Sequence, residues 1–301
     1  MACELDRYEI APAKRRGGWI LNYIKVLKPR ETVLLTFIGL CAALVAWGWE
    51  PPFPTRAFLF TMVALLIGSG GTNGLTNYID RDVDARMQRV RHRPLPSKKI
   101  FPPQKMLPWA ISLVVGGLII AWYLDPLCFA FGAFGVVVAI TWRKKITCAF
   151  PQGAIAGCSP VIIGYTAMPS HQLGLTLLLL CLLIAFWVPL HVWSVMIANR
   201  EDYRQAGITY FPISWEAKDS IKVLFIIAVL LLGSSIALYY YSEFGTFYLT
   251  VACILGIMMV VSTARLAFTG VSRDAWRVYK LTAFPYLGII FLAMVIGLWI
   301  A

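Results

Sequence analysis

The strongest constraint on this chain is the recurrence of long apolar runs separated by short polar links. They fall at about 33–49, 57–79, 106–124, 126–142, 150–168, 173–197, 220–241, 246–268 and 280–300. A run of about 20 apolar residues spans a bilayer as a helix, and inside hydrocarbon each segment must satisfy its own backbone polar groups. The expected fold class is therefore all-α: a polytopic membrane protein, a single bundle of nine transmembrane helices around an intramembrane cavity. Composition agrees, because 59% hydrophobic and only 14% charged residues, with mean hydropathy +0.72, exclude an ordinary soluble domain.

A net charge of +12 over 301 residues would suggest a nucleic-acid partner in a soluble chain. Here the placement of the charge decides otherwise. Threading the runs alternately from a cytoplasmic N-terminus puts every Lys and Arg except Arg56 on the inner side, the asymmetry that orients membrane proteins. The lipid bilayer is the expected partner, and no nucleic acid is. The C-terminus then lies outside. The outer links at 49–54, 125–126, 169–171 and 242–245 are short and turn-like. One domain over 1–301 is expected, with 1–32 as a cytoplasmic N-terminal segment and inner active-site loops at 80–105 and 198–218. The seven cysteines show no CxxC spacing, and most lie within apolar runs, so they read as small buried hydrophobes. Residues 1–18 lack an apolar stretch and carry Glu4, Asp6 and Glu9, so neither a signal nor a transit peptide is expected there.

Chemistry concentrates where the second run ends, in NGLTNYIDRDVDARMQRVRHRPLPS over 73–97. On a helix Asn73, Asn77, Asp80 and Asp84 fall at i, i+4, i+7 and i+11 and form one stripe, whereas Asp82 points elsewhere. Two carboxylates one turn apart repel unless a cation lies between them. Hard oxygen donors at this spacing suit Mg²⁺ that keeps waters and shares a phosphate-bearing substrate. A solvated helix end paired with Arg81, Arg86 and Arg89 would be the bland alternative. Against it stands the preceding series Ser69, Gly70, Gly71, Thr72, Asn73, Gly74 and Thr76, which places small and polar residues at membrane depth, where they usually line a cavity. The inner loop that follows is rich in Lys and Arg. Attraction to anionic lipid accounts for part of that charge, while Arg89 and Arg93, four residues apart, are placed to reach a diphosphate near the carboxylates.

A second constellation closes the sixth run: Trp187, Pro189, His191 and Trp193, then Asn199, Arg200, Asp202, Tyr203 and Arg204. Trp187 and His191 share a helix face, and Pro189 should bend the helix. A histidine so placed serves either as a packing residue or as a contact to a flat ligand or its iron. The series Gly153, Gly157, Pro160 and Gly164 has the spacing of close helix packing.

Asn77, Tyr78, Ile79, Asp80, Arg81 and Asp84, followed by Arg89, Arg93, Pro94 and Leu95, resemble the first Asp-rich motif of the UbiA superfamily of intramembrane prenyltransferases. Lys28-Pro29-Arg30, His191-x-Trp193 and the DYxxAGI stretch from Asp202 to Ile208 are more similar to the haem O synthase (protohaem IX farnesyltransferase) branch than to the quinone branches. Thr76, Leu190 and Val192 depart from the usual Asn, Pro and aromatic residue. The resemblance implies a prenyltransferase that moves a farnesyl group from farnesyl diphosphate to haem B with Mg²⁺ as cofactor. It implies Asp80, Asp84, Asn77 and Asn73 as the metal shell. Arg89, Arg93, Lys144, Lys145, Arg200 and Arg204 would be diphosphate contacts, and His191, Asp202, Tyr203 and Trp187 acceptor contacts. It is compatible with homo-oligomers or with association with a haem A synthase. The expected setting is a prokaryotic inner membrane, with the mitochondrial inner membrane as the other setting.

Three alternatives stay open at this point. One is a quinone precursor or lipid acceptor, or cyclisation of the prenyl diphosphate without any acceptor. Another is a transporter, which would carry titratable groups at mid-depth, whereas nearly all charges here lie at the inner ends of the runs. The third is a haem-binding chaperone.

Overall fold

In the computed structural model, residues 18–141 and 150–300 are described; they form helices and connecting turns, and none of them is in a strand. The helices are α1 (Trp19–Val26), α2 (Pro29–Trp47), α3 (Thr55–Arg86), α4 (Met106–Leu124), α5 (Pro126–Thr141), α6 (Phe150–Thr166), α7 (Leu175–Ala198), α8 (Arg200–Gln205), α9 (Ala217–Tyr241), α10 (Gly245–Thr269), α11 (Ser272–Thr282) and α12 (Phe284–Ile300). Among the described residues, seven stretches are long and apolar enough to cross a membrane, whereas α5 and α6 are shorter apolar helices. The sequence count of nine spans is thus met for seven.

Neighbour packing closes a ring. α2 packs on α3, then α4, α5, α6, α7, α9, α10 and α12 follow in turn, and α12 returns to α2. A second contact joins α2 to α6 across this ring. It is close because Gly39 and Gly164 face each other, and a Cβ on Gly164 would collide with the Gly39 carbonyl. The close approach of α3 and α4 rests likewise on Gly68 and Gly117. These are small-residue crossings of the kind that membrane helices use in place of a hydrophobic drive. The main core lies among α7, α9, α10 and α12, with Leu183, Leu224, Leu231, Tyr248, Met259, Tyr286 and Phe291 fully buried. Ile119, Trp122, Leu178, Ile226 and Val261 are exposed, as a lipid-facing girdle requires.

Three elements differ from the sequence expectation. α3 does not stop near 79 but runs unbroken to Arg86, so the first part of the expected 80–105 loop is helical. The 1–32 segment contains α1, whose Val26 joins Leu95, Ile100, Met106 and Ala110 in a small core. The last run is preceded by a separate helix, because α11 ends at Thr282 and α12 starts at Phe284.

Candidate active site

The polar stripe of α3 faces inward. Asn77, Asp80 and Asp84 are 8%, 6% and 1% exposed, whereas Asp82 is exposed and pairs with Arg81 at 3.4 Å. Burying carboxylates is costly unless charge and hydrogen bonds compensate, so this face is built for cations. One is in place: Arg93 Nη1 donates to Asp84 Oδ2 at 3.1 Å. Asn77 Nδ2 donates to the Val26 carbonyl at 2.6 Å, and Asn73 Nδ2 donates to Thr32 Oγ1 at 3.1 Å. α1 and the start of α2 are therefore fastened to the stripe by its two amides.

Beside the stripe is a small mouth of about 40 Å³ lined by Lys25, Lys28, Asn77, Arg93 and Pro94. Further along α3, Ser69, Thr72 and Asn73 line one wall of an apolar cavity of about 100 Å³ between α2, α3, α4, α5 and α6; Leu35, Leu118, Val136 and Ile163 form much of the rest. The charged mouth at Asn77 and the greasy chamber at Asn73 thus lie one helical turn apart along α3.

The turn after α3 is held from a distance. Both oxygens of Asp202 accept backbone N–H groups, from Gln88 at 2.7 Å and from Arg89 at 3.2 Å. Arg89 Nη2 donates to the Tyr203 hydroxyl at 3.2 Å. Burial pushes the Tyr203 phenol above its ordinary pKa range, with Arg89 beside it pulling back, so the hydroxyl stays protonated at neutral pH. Arg89 Nε is buried without a hydrogen-bond partner, an orphan donor of the sort that an anion would satisfy.

The other sequence candidates fall as follows. Arg200 is committed to the carbonyls of Pro212 (3.2 Å), Ile213 (3.0 Å) and Trp215, where it closes the turn before α9. Arg204 is exposed. Lys144 and Lys145 lie outside the described residues. His191 is stacked between Trp187, at 5.0 Å and 12°, and Tyr279, at 4.7 Å and 29°. Both faces of the imidazole are covered, so a flat ligand meets its edge and not its face. His191 Nδ1 bonds Thr282 Oγ1 at 3.2 Å, and Trp187 Nε1 donates to the Thr282 carbonyl at 2.6 Å. Thr282 and Tyr279 were not among the sequence candidates for the site. Glu31 was missed too: it pairs with Lys28 at 3.3 Å, beside the mouth that Lys28 lines. A carboxylate beginning an apolar run was the signal available for it.

Among the described residues no cluster of three His, Cys, Asp or Glu forms a metal cage. Two buried carboxylates and an amide fit instead a hard cation that keeps waters and takes its remaining oxygens from a phosphate, as Mg²⁺ does.

A protein named protoheme IX farnesyltransferase from Desulforudis audaxviator is 30% identical over 283 residues, covering 92% of this chain and 88% of that protein. A solved structure described as giving insight into digeranylgeranylglyceryl phosphate synthase in membranes superposes with a TM-score of 0.75 at 18% identity, covering 94% of this chain and 99% of that one. A UbiA homolog from Archaeoglobus fulgidus bound to GPP and Mg²⁺ superposes at 0.63 with 12% identity, covering 91% and 99%. The family model for UbiA prenyltransferases matches residues 33–300, and this chain belongs to the UbiA prenyltransferase family.

Proposed function

We propose that this chain transfers the farnesyl group of farnesyl diphosphate to a vinyl group of haem B, giving hydroxyethylfarnesyl haem. The observation that carries the reading is the juxtaposition on α3. Two buried acids one turn apart, with Arg93 on one of them, adjoin a basic mouth, and an apolar chamber opens along the same helix. That is the polarity of a prenyl diphosphate: a polyanionic head and a hydrocarbon tail. The farnesyl acceptor is supported by the 30% identical relative that bears the protoheme IX farnesyltransferase name, and the metal by the α3 donor set and by the Mg²⁺ in a fold neighbour.

Asp80 and Asp84, with Asn77 beside them, would hold Mg²⁺, which when bound supplies positive charge to the departing diphosphate. Arg93 and Arg89 take up the charge that develops as the carbon–oxygen bond breaks, Arg89 through its unpartnered Nε. Lys25 and Lys28 at the mouth add to this field. The chamber walls hold the allylic tail away from bulk water, which would otherwise capture the cation. The cationic carbon then bonds the terminal vinyl carbon of haem, hydroxide from one water adds to the inner vinyl carbon, and the released proton passes to diphosphate or solvent. His191, held by Trp187, Tyr279 and Thr282, offers its imidazole edge on the acceptor side.

The reading includes nine membrane crossings, with α5 and α6 as short spans; the closed ring of nine packed helices supports this. It includes an inner membrane with the α3 mouth on the cytoplasmic side, supported by the inner placement of the basic residues.

Membranes carrying the chain are incubated with haem B, farnesyl diphosphate and Mg²⁺, and the haems are resolved by mass spectrometry. A haem heavier by the elements of farnesol is expected. Prenylation of an added quinone precursor or of endogenous lipid in place of haem would refute the acceptor assignment.

A further inference from the structure

α11 carries a basic groove that the reaction described above does not use. Ser272, Arg273, Trp276, Arg277 and Lys280 line it, all but Ser272 lying on one face at i, i+3, i+4 and i+7. The opposite face is anchored. Asp274, Ala275, Val278 and Thr282 are buried, and Asp274 accepts Thr269 Oγ1 at 2.7 Å while it pairs with Arg265 at 3.3 Å and with Arg277. Ser272 Oγ donates to the Ala198 carbonyl at 2.7 Å and ties the start of α11 to the end of α7. The helix is therefore a fixed platform. Arg277 is partly neutralised by Asp274, while Arg273 and Lys280 have no ion-pair partner among the described residues and are exposed.

The groove is also the outer end of an aromatic ladder. Trp276 meets Tyr279 edge-on at 5.4 Å, Tyr279 stacks on His191 at 4.7 Å, and His191 stacks on Trp187 at 5.0 Å. Two exposed cations at the rim of a strip of rings suit a flat, largely apolar ligand with anionic groups along one edge.

We propose that the α11 groove binds the carboxylate edge of the acceptor, with Arg273 and Lys280 engaging the two propionates of haem. This inference rests on the functional reading above. Haem carries its propionates on the edge opposite its vinyl groups, so fixing the carboxylates at the rim aims the vinyls along the ladder toward the interior. A bare phospholipid headgroup would use the cations but not the ladder, which favours the tetrapyrrole over lipid. Arg273 and Lys280 are then acceptor-specificity residues that contact neither the diphosphate nor the metal.

The test uses the full-length protein in nanodiscs of phosphatidylcholine and compares wild type with the double variant Arg273→Gln/Lys280→Gln, with Arg277 retained so that Asp274 keeps its partner. Haem B and its dimethyl ester, whose carboxylates are masked, are titrated and followed by the haem absorption band. Losing two charge-assisted contacts is expected to weaken haem binding about tenfold or more. The ester should bind wild type and variant equally weakly, and the KM for farnesyl diphosphate should not change. Equal haem affinity of variant and wild type overturns the proposal. So does a variant whose only change is a lost preference for nanodiscs containing phosphatidylglycerol, which would make the groove a lipid seat. If wild type neither binds nor converts haem, the functional reading fails first and the groove assignment falls with it. If wild type converts haem and the variant does so with the same KM, the groove assignment alone falls.

Discussion

Asp202 separates two accounts of the second inner loop. The family resemblance makes it an acceptor contact, whereas its two oxygens accept the Gln88 and Arg89 backbone N–H groups at 2.7 and 3.2 Å, so it holds the turn that carries Arg89 and Arg93. A hydrogen bond to a charged acceptor contributes roughly 1.5–3 kcal/mol, and Asp202 is half-buried, so the lower end applies and the longer bond adds little: about 2 kcal/mol for the pair. Asp202→Ala should therefore lower the equilibrium constant for ordering the turn by roughly 30-fold. Asp202→Asn keeps one acceptor oxygen and should cost about half that free energy. The assay is steady-state prenyl transfer with each substrate varied in turn. The KM for farnesyl diphosphate should rise for both variants, Ala more than Asn, while the KM for haem stays level. A rise in haem KM with farnesyl diphosphate KM unchanged would refute the positioning role and return Asp202 to the acceptor.

Four further outcomes follow. Asp80→Ala and Asp84→Ala should each cut diphosphate release by about 100-fold or more, and removal of divalent cations with EDTA should abolish turnover in wild type, restored by Mg²⁺; residual metal-independent turnover would argue against the α3 cation site. Val136→Phe adds bulk to the apolar chamber and should favour geranyl over farnesyl diphosphate, by about tenfold in the ratio of kcat/KM; competition between the two donors reads this directly. Gly164→Ala drives a methyl group against the Gly39 carbonyl and should cost about 1–3 kcal/mol, visible as a lower thermal midpoint in detergent. Trp187→Phe removes the donor to the Thr282 carbonyl and should cost about 1 kcal/mol by the same measurement.

The α3 stripe was legible in the sequence because two acids closing an apolar run have few inexpensive fates, and helical spacing alone puts Asn73, Asn77, Asp80 and Asp84 on one face. Asp82 was correctly separated by the same rule. The end of α3 was harder to place, since the charges after Ile79 look like loop while the backbone remains helical to Arg86. The break between α11 and α12 had a usable signal in Pro285, since proline favours the first turn of a helix. What could not be read were contacts joining distant segments. Asp202 reaches Gln88 from 114 positions away, and Asn77 reaches back 51 positions to Val26; no local pattern encodes either. Arg200 shows the converse: a basic residue in a charged motif also donates to the carbonyls of its own downstream turn, a tertiary use that the motif does not reveal. His191 was rightly grouped with Trp187, but the partner closing its second face, Tyr279, lies on α11, 88 positions downstream, where no local pattern ties it to α7.

The central claim is that the buried acid pair of α3 directs a prenyl diphosphate toward haem. Its most direct test is mass spectrometry of haem extracted after incubating the purified chain with haem B, farnesyl diphosphate and Mg²⁺, beside the Asp80→Ala/Asp84→Ala variant. The account predicts farnesylated hydroxyethyl haem from the wild type and unaltered haem B from the variant. Unaltered haem B from a wild-type protein that still releases diphosphate, or equal product from both proteins, would contradict it.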